Sequence, residues 1–180
     1  MNSLQKNKTK KLLMNALIEL LQKKQFESIK LNEICEVGLV HKTTFYNHFQ
    51  DKYELLNYLI KYFIDDIFKN INYQNDFTIY ILNITRKVVM HIYDNKKIVK
   101  KILSNDQNNI CRNITYNTFI QSLKQIVNSN EMNNIPINYI LIFYVNAIFS
   151  VIIEWISSGM KDSEEIILDN IKKLITNDLK

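Results

Sequence analysis

A chain of 180 residues with only two glycines and one proline has few positions for the tight turns that all-β and α/β folds require. The formal net charge is +5, and the first 52 residues hold nine lysines against five acidic residues, so the positive charge is concentrated at the amino-terminal end. Such a segment is typical of proteins that bind a polyanion, although lysine-rich ends also serve solubility alone. The two cysteines, Cys35 and Cys111, are too few and too isolated for a disulfide framework or a zinc site, so no metal and no cofactor is expected.

Apolar residues recur at three- and four-residue spacing along almost the whole chain, which predicts an all-α fold of about nine helices. The first helix should turn its leucines inward, among them Leu13, Leu17, Leu20 and Leu21. Asp51 followed by Glu54 has the spacing of a capping box and should begin the fourth helix. The first four helices are expected near residues 5–24, 31–37, 42–48 and 51–72.

Polar clusters separate the remaining five helices. Pro136 suits the first turn of the eighth, which Gly159 should end, and Asp162 with Glu165 should cap the ninth. The five are expected near residues 77–93, 96–103, 110–127, 136–158 and 162–178. The most apolar stretch, 139–153, is shorter than the roughly 20 residues that a bilayer requires. It also carries Asn146, Ser150 and Glu154 at four-residue spacing, so a buried helix of a cytoplasmic protein is expected.

The stretch 34–52 reads ICEVGLVHKTTFYNHFQDK and predicts a short helix, a tight link and a second helix. On that second helix Phe45 and Phe49 are four residues apart and therefore share one side. The other four-spaced pairs lie around the rest of the cylinder: Lys42/Tyr46, Thr43/Asn47 and Thr44/His48. The apolar side should dock the helix, and the remaining face is suited to contact DNA.

The order Thr44, Phe45, Tyr46, Asn47, His48, Phe49 and then Lys52 closely resembles the recognition-helix motif of the TetR family of bacterial regulators. The resemblance implies a helix-turn-helix DNA-binding domain over 1–52 and a larger helical ligand-binding and dimerisation domain over 53–180. It also implies a homodimer formed through the last two helices, about 137–178. The segment 152–163, IIEWISSGMKDS, is similar to the dihydroxyacetone-kinase regulators within this family.

Two positions depart from the family pattern. The glycine usual in the turn is replaced by Leu39, with Gly38 one residue earlier, so the turn is expected to be built differently. His41 and Lys30 stand where Ser or Thr usually cap the two helices, which costs about 1 kcal/mol for each lost cap.

The candidate DNA-binding residues divide by role. Lys42 is long enough to donate to a guanine edge, and Thr43 and Asn47 can contact bases. By resemblance, Thr44, Tyr46, His48 and Lys52 hold the phosphate backbone, and Lys30 and Asn32 contact the flanking backbone or a base. The alternative for Tyr46 and His48 is that they only cover Phe45 and Phe49 or lie in solvent.

Two residues of the carboxy-terminal part are ambiguous. Arg86 is in register with Ile79, Leu82, Val89, Met90 and Tyr93, so its guanidinium is placed on an apolar face where it needs a partner. Either it binds an acidic effector, or it extends to solvent or to a nearby acid. Trp155 is suited equally to a subunit interface and to the core.

No enzyme is expected, because His41, His48 and His91 have no partner residues typical of catalysis and no glycine-rich phosphate loop occurs. The favoured interpretation is a repressor that binds a palindromic double-stranded DNA operator as a homodimer and is released by a small-molecule effector. The alternative is a co-regulator of the same fold that acts through protein partners without sensing a small ligand.

Overall fold

Helices form almost all of the ordered secondary structure, as the spacing of the apolar residues predicts. The computed structural model of the protein describes residues 3–69, 76–104, 106, 108–127, 131–132 and 134–176. Within these ranges the helices are α1 Ser3–Leu21, α2 Leu31–Val37, α3 Lys42–Tyr46, α4 Lys52–Phe68, α5 Phe77–Asp94, α6 Lys96–Leu103, α7 Ile110–Ile126, α8 Ile137–Ser157 and α9 Glu164–Thr176. A single 3₁₀ turn, Phe26–Ser28, precedes α2.

One short strand pair was not predicted. Strands β1 (Glu131–Met132) and β2 (Ile135–Pro136) pair antiparallel, with Met132 opposite Ile135. Two-residue strands are too short to show the alternation by which strands are recognised in a sequence. Pro136 is the last residue of β2 and the N-cap residue of α8. The sequence predicts a position one step further on, within the first turn of the helix.

The described chain forms two compact units. The first comprises Met1–Tyr62 with Lys97–Thr115, and the second comprises Phe63–Lys96 with Tyr116–Lys180. Helices α4 and α7 each contribute several residues to both units, and α6 contributes only Lys96 to the second. The functional boundary expected after residue 52 stays a prediction.

The first unit is built around α1, whose four predicted leucines are all buried. Helix α1 packs against α2, and Gly38, which follows α2, lies beside α1. A Cβ at Gly38 would lie 3.1 Å from the carbonyl oxygen of Ile34 and 3.4 Å from the Cβ of Ala16. The tightest of these contacts is with the backbone of α2 itself, and the atoms of α1 lie at ordinary contact distance.

The turn after α2 has a left-handed residue, and that residue is Leu39, with φ of 52°. The Leu39 amide donates to the carbonyl of Glu36, and the Val40 amide donates to that of Cys35. This is the hydrogen-bond pattern of a Schellman motif, in which the left-handed residue is usually glycine. The expectation of a different turn was wrong: the turn keeps the left-handed geometry and accepts the steric cost at Leu39.

Helix α4 begins as the capping box predicts. Oδ1 of Asp51 accepts from the amides of Tyr53 and Glu54 at 2.8 and 2.9 Å, and the Glu54 carboxylate accepts from the Gln50 amide. Lys30 and His41 make no side-chain cap, as expected. The ninth helix starts two residues later than predicted, at Glu164, because the Ser163 hydroxyl accepts from the Ile166 amide in place of Asp162.

The second unit packs α5 against α9 and α8. Trp155 is 3% exposed, and its Nε1 donates to the carbonyl oxygen of Asp162 at 3.0 Å. Of the two roles open to Trp155, the structure supports the core role, in which it holds the connection between α8 and α9.

Helix α8 has about the expected bounds but is less buried than expected. It has 21 residues, and its most apolar 18-residue window has a mean hydropathy of 2.0, so it is long and apolar enough to cross a membrane; only 28% of that window is buried in the protein. Length and composition of one helix are weak grounds for a membrane span, since core helices of other proteins share them. The exposed apolar surface of α8 nevertheless requires a partner of some kind.

Leu39→Gly should stabilise the protein. The left-handed conformation costs an L-residue about 1–2 kcal/mol, and glycine loses about 0.5–1 kcal/mol more backbone entropy on folding, so the expected net gain is about 0.5–1 kcal/mol. Leu39 is 93% exposed, so no packing is lost. Urea unfolding measures the change. Leu39→Ala is the matched control, since it removes the side chain but keeps the strain, and an equal gain there would contradict this account.

Candidate nucleic-acid interface

Helix α3 presents two sides of different character. Phe45 and Phe49 are 0% and 3% exposed, with ring centroids 5.8 Å apart, and Phe49 also contacts the Tyr58 ring at 5.6 Å. On the opposite side Lys42, Thr43, Tyr46 and Asn47 are exposed, and Tyr46 is 59% exposed. Helix α3 ends at Tyr46, two residues before the predicted end, so Phe45 lies within it and Phe49 three residues beyond. Both phenylalanines are buried as predicted, and the side chains predicted to read DNA are exposed.

Thr44 and His48 lie at the edge of this face and are half-buried. Nε2 of His48 is buried and has no hydrogen-bond partner among the described residues. Burial, followed by the nearby charges of Lys10 and Lys6, lowers the pKa of His48 below its usual value. The ring is therefore neutral at pH 7 in the free protein, and a phosphate contact by His48 would use its neutral form or require a proton.

Two lysines of α1, Lys6 and Lys10, lie close enough to His48 to affect its pKa. The Lys10 ammonium lies 5.6 Å from the Phe49 ring centroid and 5.3 Å from that of Tyr58. Lys6, Lys8 and Lys11 are exposed. The helix-turn-helix motif assigned no DNA-binding role to any one of these lysines. Only the positive charge of the segment indicated contact with a polyanion.

The Glu33 carboxylate, and not an N-cap side chain, stabilises the start of α2. Oε2 of Glu33 accepts from the Lys30 amide at 2.9 Å, while Oε1 pairs with the Lys24 ammonium. The hydrogen bond from Lys24, and then that from the Lys30 amide, lowers the pKa of Glu33. Lys30 and Asn32 both remain exposed beside this point, which leaves their side chains accessible to a ligand.

The Lys52 ammonium is engaged within the first unit. Its Nζ donates to the backbone carbonyl oxygens of Phe26, Glu27 and Ile29, at 3.2, 3.0 and 3.2 Å. An ammonium has three protons, so these acceptors use its whole donor capacity. The Lys52 side chain is 17% exposed. Lys52 thus fastens the turn before α2 to the start of α4, and a phosphate contact, which stays a prediction, would have to compete with these bonds.

Arg86 is not where the apolar register placed it. The buried face of α5 consists of Phe77, Tyr80, Ile81, Ile84, Thr85 and Val89. Arg86 lies on the exposed side, near Ile79 and Met90, which are 49% and 50% exposed. The exposure of Arg86 fits the alternative in which the side chain extends to solvent or to a nearby acid; the apolar register was ambiguous because α5 carries apolar residues on two sides. Effector binding by Arg86 stays a prediction.

Comparison with known proteins supports a regulatory family. The family model described as the transcriptional regulator C-terminal region, of TetR type, matches residues 80–177, more than half of the chain. No curated protein matches the sequence.

Solved structures of TetR regulators share the fold. A regulator from Streptococcus agalactiae 2603V is 21% identical with a TM-score of 0.63, and the match covers 95% of each chain. One from Rhodococcus sp. RHA1 is 16% identical with a TM-score of 0.66, covering 97% of this chain and 99% of the other. The dihydroxyacetone kinase operon activator DhaS is 21% identical with a TM-score of 0.58, covering 95% and 96%. The predicted fold class, an all-α chain with an amino-terminal helix-turn-helix part and a larger helical part, is confirmed.

Lys52→Met should destabilise the protein by about 2–3 kcal/mol, because it leaves three carbonyl oxygens without their charged donor while keeping the apolar stem. Thermal or urea unfolding measures this directly. Lys23→Met is the matched control: Lys23 pairs with Glu19 on the surface, with the side chains 66% and 56% exposed. Its loss should change stability by less than about 0.5 kcal/mol. Equal melting of the Lys52 variant and the parent would mean that the three bonds contribute nothing.

Proposed function

Because the chain belongs to the TetR family of transcriptional regulators, we propose that it is a repressor that binds a palindromic DNA operator as a homodimer. The observation that carries this proposal is the two-sided α3: buried Phe45 and Phe49 fix a helix whose opposite face offers Lys42, Tyr46 and Asn47 to a ligand. A helix held this way enters a major groove without losing its own support. The protein acts where the DNA lies, in the cytoplasm.

The base-reading role falls to the most exposed residues of α3. Lys42 donates to guanine, and Thr43 and Asn47 contact the neighbouring base edges. The phosphate backbone is held by Thr44, Tyr46 and His48, with Lys30 and Asn32 on the flank. Exposed lysines of α1 add sequence-independent attraction, which falls as salt rises.

The dimer forms through α8 and α9. On α8 the side chains of Tyr139, Ile142 and Phe143 are 68%, 42% and 70% exposed, and on α9 those of Ile166 and Leu174 are 50% and 54% exposed. Exposing this many large apolar side chains to water is energetically unfavourable. A second copy that covers them also supplies the second α3, which a palindromic operator requires about one helical turn away.

An effector bound within residues 53–180 would lower DNA affinity, and a coupling of only about 1–3 kcal/mol suffices for a useful response. The alternative is a co-regulator that acts through protein partners without a small ligand. Selection from a random duplex library separates the two, because the co-regulator enriches no sequence. If the protein enriches a DNA sequence, a thermal-shift screen of metabolites then tests whether it also binds a small-molecule effector.

The α3 residues should separate contact from folding. Tyr46→Ala should leave the melting temperature nearly unchanged and weaken binding to the enriched duplex. Lys42→Ala should change the preferred base at one position, at about 1–3 kcal/mol. Phe45→Ala should lose about 3–5 kcal/mol of stability and with it all binding. Fluorescence anisotropy and unfolding curves on the same samples measure both quantities.

The control for this series is Tyr62→Ala on α4, which removes a tyrosine of similar exposure, 48%, away from α3. It should bind DNA like the parent. If Tyr46→Ala and Lys42→Ala also bind like the parent, α3 is not the reading element. An affinity that does not fall between low and physiological salt would separately exclude the role of the exposed lysines.

Sedimentation equilibrium at micromolar concentration, without detergent, should give twice the 21.5 kDa chain mass. Phe143→Lys should yield a folded monomer, because it places a charge in the centre of the proposed interface. Met90→Lys, at an apolar residue 50% exposed on α5, should remain a dimer. A parent protein that is monomeric, or that stays soluble only with detergent, would contradict the dimer.

A further inference from the structure

Three side chains with metal-binding atoms meet in the first unit, although they come from distant parts of the sequence. Glu27 lies in the 3₁₀ turn before α2, Cys111 lies in the first turn of α7, and Asp106 precedes that helix. One ligand atom from each lies within 4.8 Å of the other two. Sγ of Cys111 is 4.0 Å from Oε1 of Glu27.

The Asp106 carboxylate is buried, with 7% of the residue exposed. Its Oδ2 accepts from the Arg112 amide at 2.7 Å, but its Oδ1 is buried and has no hydrogen-bond partner among the described residues. Burying an ionised oxygen without a donor is costly, and a bound cation removes that cost. Asp106, which carries this oxygen, belongs to the same cluster as the Cys111 thiol, so the cluster includes a buried carboxylate with an unused acceptor atom.

Glu27 and Asp106 bring two carboxylates together. The Lys52 ammonium lies 3.8 Å from Oε2 of Glu27 while donating to three carbonyl oxygens, and the Tyr53 hydroxyl donates to the same Oε2 at 2.9 Å. Burial, and then the charges of Asp106 and Glu27, raises the pKa of Cys111 to about 12. The thiol is therefore protonated at neutral pH until a cation offsets the two carboxylates.

We propose that Glu27, Asp106 and Cys111 bind a divalent transition metal, with Zn²⁺ as the representative ion. One thiolate with two carboxylate oxygens provides three protein ligands, and water completes a tetrahedron. The thiolate favours Zn²⁺ over Mg²⁺ and Ca²⁺, which prefer oxygen alone. On binding, the S–H bond of Cys111 breaks, the proton passes to solvent, and the sulfur electron pair forms the bond to the metal.

The geometry requires only a small adjustment. Ligand atoms of a tetrahedral zinc site are about 3.5 Å apart, so the present donors need to approach by about 1 Å. The Glu27 side chain is 42% exposed, and its Oε2 is engaged by Tyr53 and Lys52. Its Oε1, 4.0 Å from Sγ of Cys111, is therefore the oxygen available to the metal. Asp106 and Cys111 are buried and set the position of the site. The occupied site would join the turn before α2 to the start of α7. Sequence spacing did not reveal it, because Glu27 and Cys111 are 84 residues apart.

Cobalt titration of the reduced full-length protein tests the thiol ligand, since Co²⁺ bound by a thiolate gives a charge-transfer absorption in the near ultraviolet that an oxygen-only site lacks. The parent and Cys35→Ser should both show the band, saturating at one Co²⁺ per chain, and Cys111→Ser should lack it. Cys35 is the matched control because it is the other buried cysteine. No band in the parent, or a band that survives in Cys111→Ser, would overturn the proposal.

Zn²⁺ affinity, measured by competition with a chromophoric chelator, tests the carboxylates. Glu27→Gln should weaken Zn²⁺ binding by at least about tenfold, and Asp106→Asn should do the same. Glu36→Gln, at an exposed carboxylate of α2, is the control and should bind like the parent. Should Asp106→Asn fail to fold by circular dichroism, the exposed Glu27 still decides: parental affinity in Glu27→Gln would refute the site. Because no DNA is present, this result stands apart from the proposed DNA-binding role.

Discussion

The rest of the candidate interface depends on the burial of Phe45 and Phe49. Helix α3 has five residues, far fewer than the roughly 12–15 that an isolated helix needs in water. Its conformation must therefore come from packing. Phe45, fully buried, and Phe49, in contact with Tyr58, supply that packing. The exposed residues keep a fixed register because the two phenylalanines leave α3 only one way to dock.

The lysines of the first 52 residues are not equivalent, although composition counts them alike. Lys52 is bonded to three carbonyls, Lys10 lies over two aromatic rings, and Lys24 and Lys23 pair with carboxylates. Five others are exposed: Lys6, Lys8, Lys11, Lys30 and Lys42. Net charge thus overstates the surface available to a polyanion, because some of the ammonium groups serve the fold.

Local signals predicted much of the fold and part of the site. Helical spacing placed the helices, the capping box placed the start of α4, and the four-residue spacing of Phe45 and Phe49 predicted the buried side of α3. Some misses came where the decisive interaction is not local, and others where a local conformation has no signal in the sequence. The Lys52 acceptors lie 23 to 26 residues away, and no propensity indicated that Leu39 would adopt a left-handed conformation. The inward face of α5 was ambiguous because both of its sides carry apolar residues, and packing against α8 and α9 decided between them.

The hydropathy of α8 would allow its exposed side to contact either lipid or another protein chain. The pattern of its exposed side favours protein. Asn146, Ser150 and Glu154 recur on that side, and Asn146 donates both to the Tyr116 hydroxyl at 3.0 Å and to the Ile142 carbonyl at 2.7 Å. A carboxylate such as Glu154 is costly against hydrocarbon but is easily accommodated at the polar rim of a protein interface. The mixture of Tyr139 and Phe143 with these polar groups is therefore the composition of a subunit contact, in which aromatic anchors are buried and the polar side chains remain hydrogen-bonded.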